Sequence, residues 1–291
     1  MFRHPVPTFL IALIFLTHLA GPAWTQEVET AGDTTRLDCT RLAIVGGATA
    51  AGVTAIHFYQ QNAWWKEHRT SFHVSEDLSY ARNIDKVGHL YGASVLTFVF
   101  SKSLQWANMP ESRSLIWGAL GATLFQTYVE IEDGFAEYWG FDRVDYACNL
   151  VGAWYPVLQY HVPVFQNFQF RFSYYPKNIG GPSAIPGQTK TLLDDYEGQT
   201  LWLTITPRGL LPESATWWPE WLGISVGASV KDNVSPDRYL TWYIAPDLDM
   251  RYIIPRDTWF LRTLGEALNF IHFPMPAVRI SPGVIWYGLY F

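Results

Sequence analysis

The sequence is poor in charge and in cysteine. Asp, Glu, Lys and Arg make up 16% of its 291 residues, whereas soluble domains carry about 25%. The formal net charge of −6 leaves no basic footprint, which argues against nucleic acid as a partner. The two cysteines are Cys39 and Cys148. A disulfide between them fits an oxidising compartment, but two unpaired thiols are the favoured interpretation.

The sequence also lacks the common catalytic motifs. It has no glycine-rich phosphate loop, no His-Glu-x-x-His helix and no cysteine metal motif. Residues 223–227 match the pattern Gly-x-Ser-x-Gly of a nucleophile elbow. The match lies within strict alternation, without the switch from strand to helix that an elbow requires. Ser225 is therefore predicted to lie in a strand, and no motif assigns a reaction.

Two other features, many aromatic residues and an N-terminal leader segment, favour an exported protein that contacts a membrane. The chain has 14 Trp, 16 Tyr and 18 Phe, and Trp and Tyr suit the boundary between lipid and water. Arg3 and His4 precede an apolar run at 9–16, and small residues stand at the cleavage positions in 23–25. Residues 1–25 are predicted to be a secretory signal peptide, so the protein is expected to be exported.

The mature chain divides near Pro163, and residues 26–163 are predicted to be helical. Small residues stand four apart at Gly118 and Ala122 and at Gly88 and Gly92, a spacing that lets helices approach closely. A four-helix bundle rich in small residues is the favoured interpretation, and four short membrane spans are the alternative. The predicted helices are 42–59, 87–107, 115–130 and 144–160.

Residues 164–291 change to a period of two, which is typical of strands. We predict an α+β protein whose C-terminal part is an antiparallel β-sheet with one amphipathic helix at 257–272. The last strand, with Ile285, Tyr287, Leu289 and the final Phe291, resembles the closing strand of outer-membrane proteins. About six strands are too few for a bacterial barrel, which starts at 8, so an open or partly closed sheet is expected. The predicted strands are 168–174, 201–205, 222–230, 240–244, 248–252 and 285–291.

Three pairs of polar residues interrupt the helical half, and they are the candidate site. They are Asp85 with His89, Glu130 with Asp133, and Asp145 with Asn149. Three interpretations stay open. Structural pairing is favoured, with caps from Asp85 and Asp142 and ion pairs to Lys86 and Arg143. A catalytic site would use all six side chains, with a divalent metal on His89, Glu130 and Asp133. A ligand contact is the third.

The same residues carry a resemblance to known proteins. The segments Asp-Lys-Val-Gly-His at 85–89, Glu-Ile-Glu-Asp-Gly at 130–134 and Gly-Phe-Asp-Arg-Val-Asp at 140–145, followed by Asn149, resemble the YfiM-like family. More distantly, they are similar to VanZ-like membrane proteins. The resemblance covers about residues 80–160 and implies a periplasmic or envelope protein whose signature positions are the six candidates. It implies no chemistry.

Together these observations predict an exported, membrane-associated envelope protein with a structural or accessory role. The outer membrane or its periplasmic face is the expected location, and other envelope proteins or lipids are the expected partners. Two alternatives remain: a metal-assisted or acid–base hydrolase of an envelope lipid or cell-wall substrate, and a lipid- or small-ligand-binding module in the groove between sheet and bundle.

Overall fold

Helices occupy the chain up to residue 161 and a sheet follows, in the order that the change of period predicts. The α+β class is confirmed. The structure is a computed structural model that describes residues 36–66, 68–76, 78–183, 185–233 and 237–291. The predicted signal peptide lies outside the described residues. Leu37–Phe291 form one unit by their contacts, and Cys39 and Cys148 are both free thiols.

Four long helices match the four predicted apolar segments within a few residues, a normal error for helix ends. Asp38 caps the first helix by accepting the Arg41 N–H, and Asp142 caps the fourth through the N–H groups of Val144 and Asp145. The helices are α1 Cys39–Gln60, α2 Ile84–Trp106, α3 Glu111–Gly134 and α4 Arg143–His161.

Helices α2, α3 and α4 pack closely because small residues lie at their crossings. A Cβ atom on Gly118 of α3 would lie 2.8 Å from the Thr97 carbonyl oxygen of α2. A Cβ atom on Gly152 of α4 would collide with the Leu90 carbonyl of α2. Ala93, Ala122 and Ala153 complete the contact layer. The prediction for Gly118 and Ala122 is confirmed, whereas Gly92 has open space around it.

Helix α1 packs very differently from the other three. Its only buried residue is Gln60, and its apolar side chains, such as Ile44, Ile56 and Phe58, are exposed. Gly46, Gly47 and Gly52 have no neighbour within 4 Å of a Cβ position. The helix ends in a π turn at Gln61–Trp65, whose last residue is fully buried. The other end is also joined to the bundle, since the Asp38 N–H and the Arg41 guanidinium donate to the main-chain oxygens of Ala107 and Trp106 at 3.0 Å. Between its two ends, most of α1 is left uncovered by the described residues.

The sheet has six antiparallel strands in the order β1-β2-β3-β4-β5-β6. The strand predicted at 248–252 is wrong: β4 ends at Leu248, and Asp249 caps a short helix there. The strand at 275–281 was missed because Pro276 interrupts its pattern. The elements are β1 Phe168–Tyr174, β2 Gln199–Ile205, β3 Leu222–Lys231, β4 Tyr239–Leu248, α5 Met250–Ile253, α6 Trp259–Leu268, β5 Met275–Ser281 and β6 Ile285–Tyr290.

One face of the sheet is apolar, and helices cover only part of it. Tyr91 of α2 stacks on Phe172 at 5.6 Å, and Tyr155 of α4 contacts Phe170 at 5.0 Å between ring centroids. Beyond β2 the cover reaches only Val230 of β3 and Leu240 of β4, which pack in one cluster with Ile84 of α2; the apolar residues further along this face are exposed. One line of paired residues crosses all six strands and is apolar throughout, and we call it the apolar row. Its members are Phe170, Leu203, Val226, Ile244, Val278 and Trp286.

The opposite face is buried and holds a polar network. Arg171 and Asp247 form a fully buried ion pair at 3.0 Å, and His272 donates through Nδ1 to the same carboxylate at 2.9 Å. Ser225 and Thr204 also donate to Asp247. Ser225 lies in β3 and is fully buried, so the prediction that it lies in a strand is confirmed. The inside of the sheet thus combines these polar groups with the buried rings of Trp202 and Tyr243.

Candidate functional site

Lys86 lies at the centre of the candidate site. It stands in the first turn of α2, and its ammonium Nζ lies 3.2 Å from Asp85, 2.7 Å from Asp142 and 3.0 Å from Asp145. Lys86 and Asp85 are buried, and so are Asp142 and Asp145 at the start of α4. The sequence thus brings one cation from α2 and two carboxylates from α4 together. This first half of the site joins the ends of two helices.

Three members of this half, Lys86, Asp85 and Asp142, have shifted pKa values. Burial alone would lower the pKa of Lys86, but the hydrogen bond to Asp142 and the charges of Asp85 and Asp145 raise it above its ordinary value. Burial, with the charge of Asp145, raises the pKa of Asp85 to about 6. Asp142 has a lowered pKa, because bonds from Lys86 and the Val144 N–H outweigh desolvation. The ammonium is therefore held charged among carboxylates.

The cap predicted for Asp85 is wrong. Helix α2 begins at Ile84, its N-cap residue is Asn83, and Asp85 makes no capping bond there. Asp142 is a cap, as predicted, while Asp145 binds Lys86. Arg143 does not join the site, since it pairs with Glu76 in an exposed position.

The second half of the site surrounds His89, one turn further along α2. His89 Nδ1 lies 3.2 Å from the Asn149 side-chain oxygen and 3.4 Å from a Glu130 carboxyl oxygen. Asn149 in turn donates to Glu130 at 2.9 Å and accepts from Gln126 at 2.7 Å. His89 Nε2 lies 3.8 Å from Asp145, which links the two halves.

Glu130 is the most strongly perturbed carboxyl group of the site. Its side chain is 2% exposed. Burial, followed by the charges of Asp133 and Asp145, raises its pKa to about 9. Glu130 is therefore protonated at neutral pH, which removes the conflict between an acidic side chain and the C-terminal end of a helix. A neutral carboxyl group can be buried beside Asn149 without a countercharge.

Asp133 lies apart from the His89 half and is held by a residue that sequence reasoning missed. The Trp65 indole N–H donates to Asp133 at 2.7 Å. Burial raises the pKa of Asp133 to about 6 despite this bond. Trp65 is the last residue of the π turn at the end of α1, so this hydrogen bond joins α1 to α3. The break in the apolar pattern at Gln60 to Asn62 was the one available signal in the sequence.

The distances among these side chains are typical of a network of ion pairs and hydrogen bonds, and they favour such a network over a metal centre. The point that Asp85, Asp142 and Asp145 share is filled by the Lys86 ammonium. Across the part of the chain that the structure describes, no group of three His, Cys, Asp or Glu side chains is arranged to hold a metal ion. His89 remains the accessible member of the site, with its side chain 26% exposed.

Comparison with known proteins gives one finding. A family model described as "Predicted periplasmic lipoprotein (DUF2279)" matches residues 74–161. This segment contains all six candidate side chains, and its extent agrees with the resemblance described above. The match supports an exported envelope protein associated with a membrane, and its description names no reaction. No curated protein and no solved structure matches the chain.

Proposed function

We propose that this protein is a non-catalytic, structural or accessory component of the bacterial cell envelope, anchored in a membrane by α1. The outer membrane, or its periplasmic face, is the location we favour. The observation that carries the proposal is the exposure of α1, an apolar helix that the other described residues leave largely uncovered.

Helix α1 has the dimensions of a membrane anchor. Counted through its π turn, Cys39–Trp65 is the one helix among the described residues that is long and apolar enough to cross a membrane, and 6% of its apolar 18-residue stretch is buried. Its 22 α-helical residues span about 33 Å, close to the roughly 30 Å of hydrocarbon in a bilayer. Residues 42–56 carry no charge, and aromatic residues Tyr59 and Trp64 follow at one end. Aromatic residues favour the interface there.

The sheet supplies a second apolar surface. Along the apolar row, Leu203 is 38% exposed, Ile244 41% and Trp286 69%. Such a continuous exposed surface is typical of a site of protein or membrane contact. We propose that this surface lies against lipid.

In this proposal the candidate site fixes the positions of the helices. Lys86 joins α2 to α4, Glu130 with Asn149 joins α3 to α4, and Trp65 with Asp133 joins α1 to α3. Buried polar groups of this kind specify one arrangement of helices when every member is paired. We also propose kinship with the YfiM-like family and, more distantly, with VanZ-like proteins.

Flotation with lipid vesicles tests the membrane anchor. We expect the purified full chain, without detergent, to float with vesicles. Replacing the exposed residues Ala48 and Ala51, at the centre of α1, by aspartate should reduce flotation at least tenfold, because a charge near a helix centre costs about 2.5–3.5 kcal/mol on insertion. Leu78→Asp is the matched control, since Leu78 is 61% exposed outside α1.

Two outcomes would count against the proposal, and they are separable. A wild-type chain that stays monomeric and soluble without vesicles would refute the anchor. Fractionation of the native protein with inner membranes would refute only the outer-membrane location.

Acid–base catalysis is a second candidate, favoured by one observation. The partly exposed His89 imidazole lies beside a carboxyl group that is protonated at neutral pH, and such pairs of groups serve general acid–base chemistry. The test is hydrolysis of defined phospholipid and cell-wall substrates by the wild type and by His89→Gln. An activity lost in the variant while flotation is unchanged would favour the enzyme.

A further inference from the structure

A cavity of about 350 Å³ lies at one end of the sheet, far along the chain from the Lys86 network. Tyr175 after β1, Lys231 at the end of β3 and Tyr290 at the end of β6 all line it. The sheet is curled enough that the Tyr290 hydroxyl lies 3.0 Å from Thr200 of β2, and that the rings of Phe291 and Tyr175 are 5.8 Å apart. The cavity is therefore the mouth of the curled sheet.

Two lysines line this cavity, and neither has a carboxylate at ion-pair distance in the part of the chain that the structure describes. Lys231 donates to the Glu197 main-chain oxygen at 2.7 Å and to Ser229 at 3.1 Å. Lys177 has its ammonium 4.8 Å from the centre of the Tyr175 ring. The Glu197 carboxylate, also in the lining, accepts the Asn233 N–H instead.

The electrostatics of Lys231 agree with an uncompensated positive site. Burial, followed by the charge of Lys177, lowers its pKa to about 8, and the nearby acidic residues do not offset this. Lys86 differs from Lys231, because three aspartates surround its ammonium group, as expected for a lysine with a structural role. An anion between Lys177 and Lys231 would relieve their repulsion.

The walls of the cavity are aromatic, and its edge continues onto exposed apolar surface. Tyr243, Tyr287 and Tyr290 form the inner wall, and Leu289 and Phe291 reach the rim. Leu289 is 57% exposed, and so is its neighbour Trp286 at 69%. A ligand with a small anionic group and an apolar tail would match both surfaces at once.

We propose that this cavity binds the phosphate group of an amphiphile, a phosphorylated lipid headgroup, between Lys177 and Lys231. The acyl chains would lie along Leu289 and Trp286 on β6. The inference rests on the proposed membrane contact for the source of the ligand. It differs from the ligand-binding alternative raised by the sequence, because the cavity is at the end of the sheet and not between sheet and bundle.

Binding of soluble short-chain lipids in a neutral detergent tests the site without a membrane. The probes are dihexanoyl phosphatidylglycerol, dihexanoyl phosphatidylcholine and inorganic phosphate, each titrated against the full chain by calorimetry. We expect the anionic lipid to bind at least tenfold more tightly than the zwitterionic lipid or free phosphate. Lys177→Met with Lys231→Met should weaken it at least tenfold, while Lys66→Met with Arg113→Met, which removes two charges from exposed positions, should change it less than twofold.

The remaining outcomes overturn the proposal. Equal affinity for the two lipids would mean a purely apolar site, and free phosphate binding as tightly as lipid would mean a site for a soluble anion. If the double variant loses its thermal transition, Lys231→Arg supplies the test: it retains the charge and should retain binding. Flotation with zwitterionic vesicles should be unchanged in the double variant, so a failure of the membrane anchor is distinguishable from a failure of this site.

Discussion

Replacing Glu130 by glutamine tests whether the buried side chain of Glu130 is a protonated carboxyl group or a carboxylate in the folded protein. Glutamine has the shape of the protonated side chain and can still accept the Asn149 N–H that lies 2.9 Å from Glu130. It carries no charge at any pH. If Glu130 is protonated in the folded protein, the substitution removes a proton-binding step and little else.

The size of the effect follows from the pKa shift. Burial, with Asp133 and Asp145, raises the pKa from 4.5 to about 9. A carboxyl group with a raised pKa contributes its full stability below the unfolded value and loses it as the pH rises toward the folded value. At pH 7 the unfolded chain has released the proton and the folded chain has kept it, a difference of about 3 kcal/mol at 1.36 kcal/mol per unit. Glu130→Gln should therefore be more stable than wild type at pH 7, by about 1–3 kcal/mol.

The assay is urea unfolding in neutral detergent, followed by tryptophan fluorescence at about pH 5, 6, 7 and 8. We expect the difference between Glu130→Gln and wild type to grow with pH over this range. Taking the difference cancels Asp85 and Asp133, whose pKa values are also raised, to about 6. Glu132→Gln, two residues along α3, is the control and should show no such trend. A variant that is less stable by the same amount at every pH would refute a protonated Glu130.

Three further predictions test other parts of the structure, all by the same unfolding assay. Lys86→Met should lower the free energy of unfolding by about 3–5 kcal/mol, because it leaves buried carboxylates without their cation. Lys66→Met, at an exposed position, should lower it little. Equal losses of stability in the two variants would contradict the central role of Lys86. Gly152→Ala should destabilise the protein by about 1–3 kcal/mol, since the new Cβ atom would collide with the Leu90 carbonyl. Gly46→Ala lies in open space and should be neutral or stabilising. A change of the same sign in the free energy of unfolding for both variants would refute the close helix crossing. The hydrogen bond from His272 and the charge of Arg171 outweigh burial and lower the pKa of Asp247. The contribution of Asp247 to the free energy of unfolding is therefore present above about pH 4 and is lost on acidification. Asp247→Asn should flatten the loss of stability at acid pH, and an unchanged acid dependence would argue against the ion pair of Arg171 and Asp247.

The architecture was predictable where one period governs a whole segment. Small residues at Gly118 and Ala122 indicated a close helix crossing, and alternation in β3 indicated a strand. Local chemistry was less accessible. Leu248, Met250 and Tyr252 alternate like a strand, yet Asp249 accepts the Arg251 N–H and starts a helical turn. One capping bond therefore outweighed a periodic pattern.

The residues of the candidate site were predictable from the sequence, but the way they pair with one another was not. Spacing along each helix brought out all six side chains, because residues four apart share a face. It could not show that Lys86 lies among three aspartates, since Asp142 and Asp145 come from a helix more than fifty residues away. Nor could it show that Trp65 binds Asp133. These pairings depend on how the helices cross.

The buried pair in the sheet was hidden for a further reason. Arg171 stands in an alternating strand whose Phe side chains mark the apolar face, and alternation alone would place Arg171 on the face turned toward solvent. In the structure that face is the inside of a curled sheet, where Arg171 meets Asp247. Alternation distinguishes two faces but does not say which one is enclosed. Here the enclosed face is the one that carries Arg171, Asp247 and Trp202, and for that reason the apolar row is left on the outside, where the proposed membrane contact needs it.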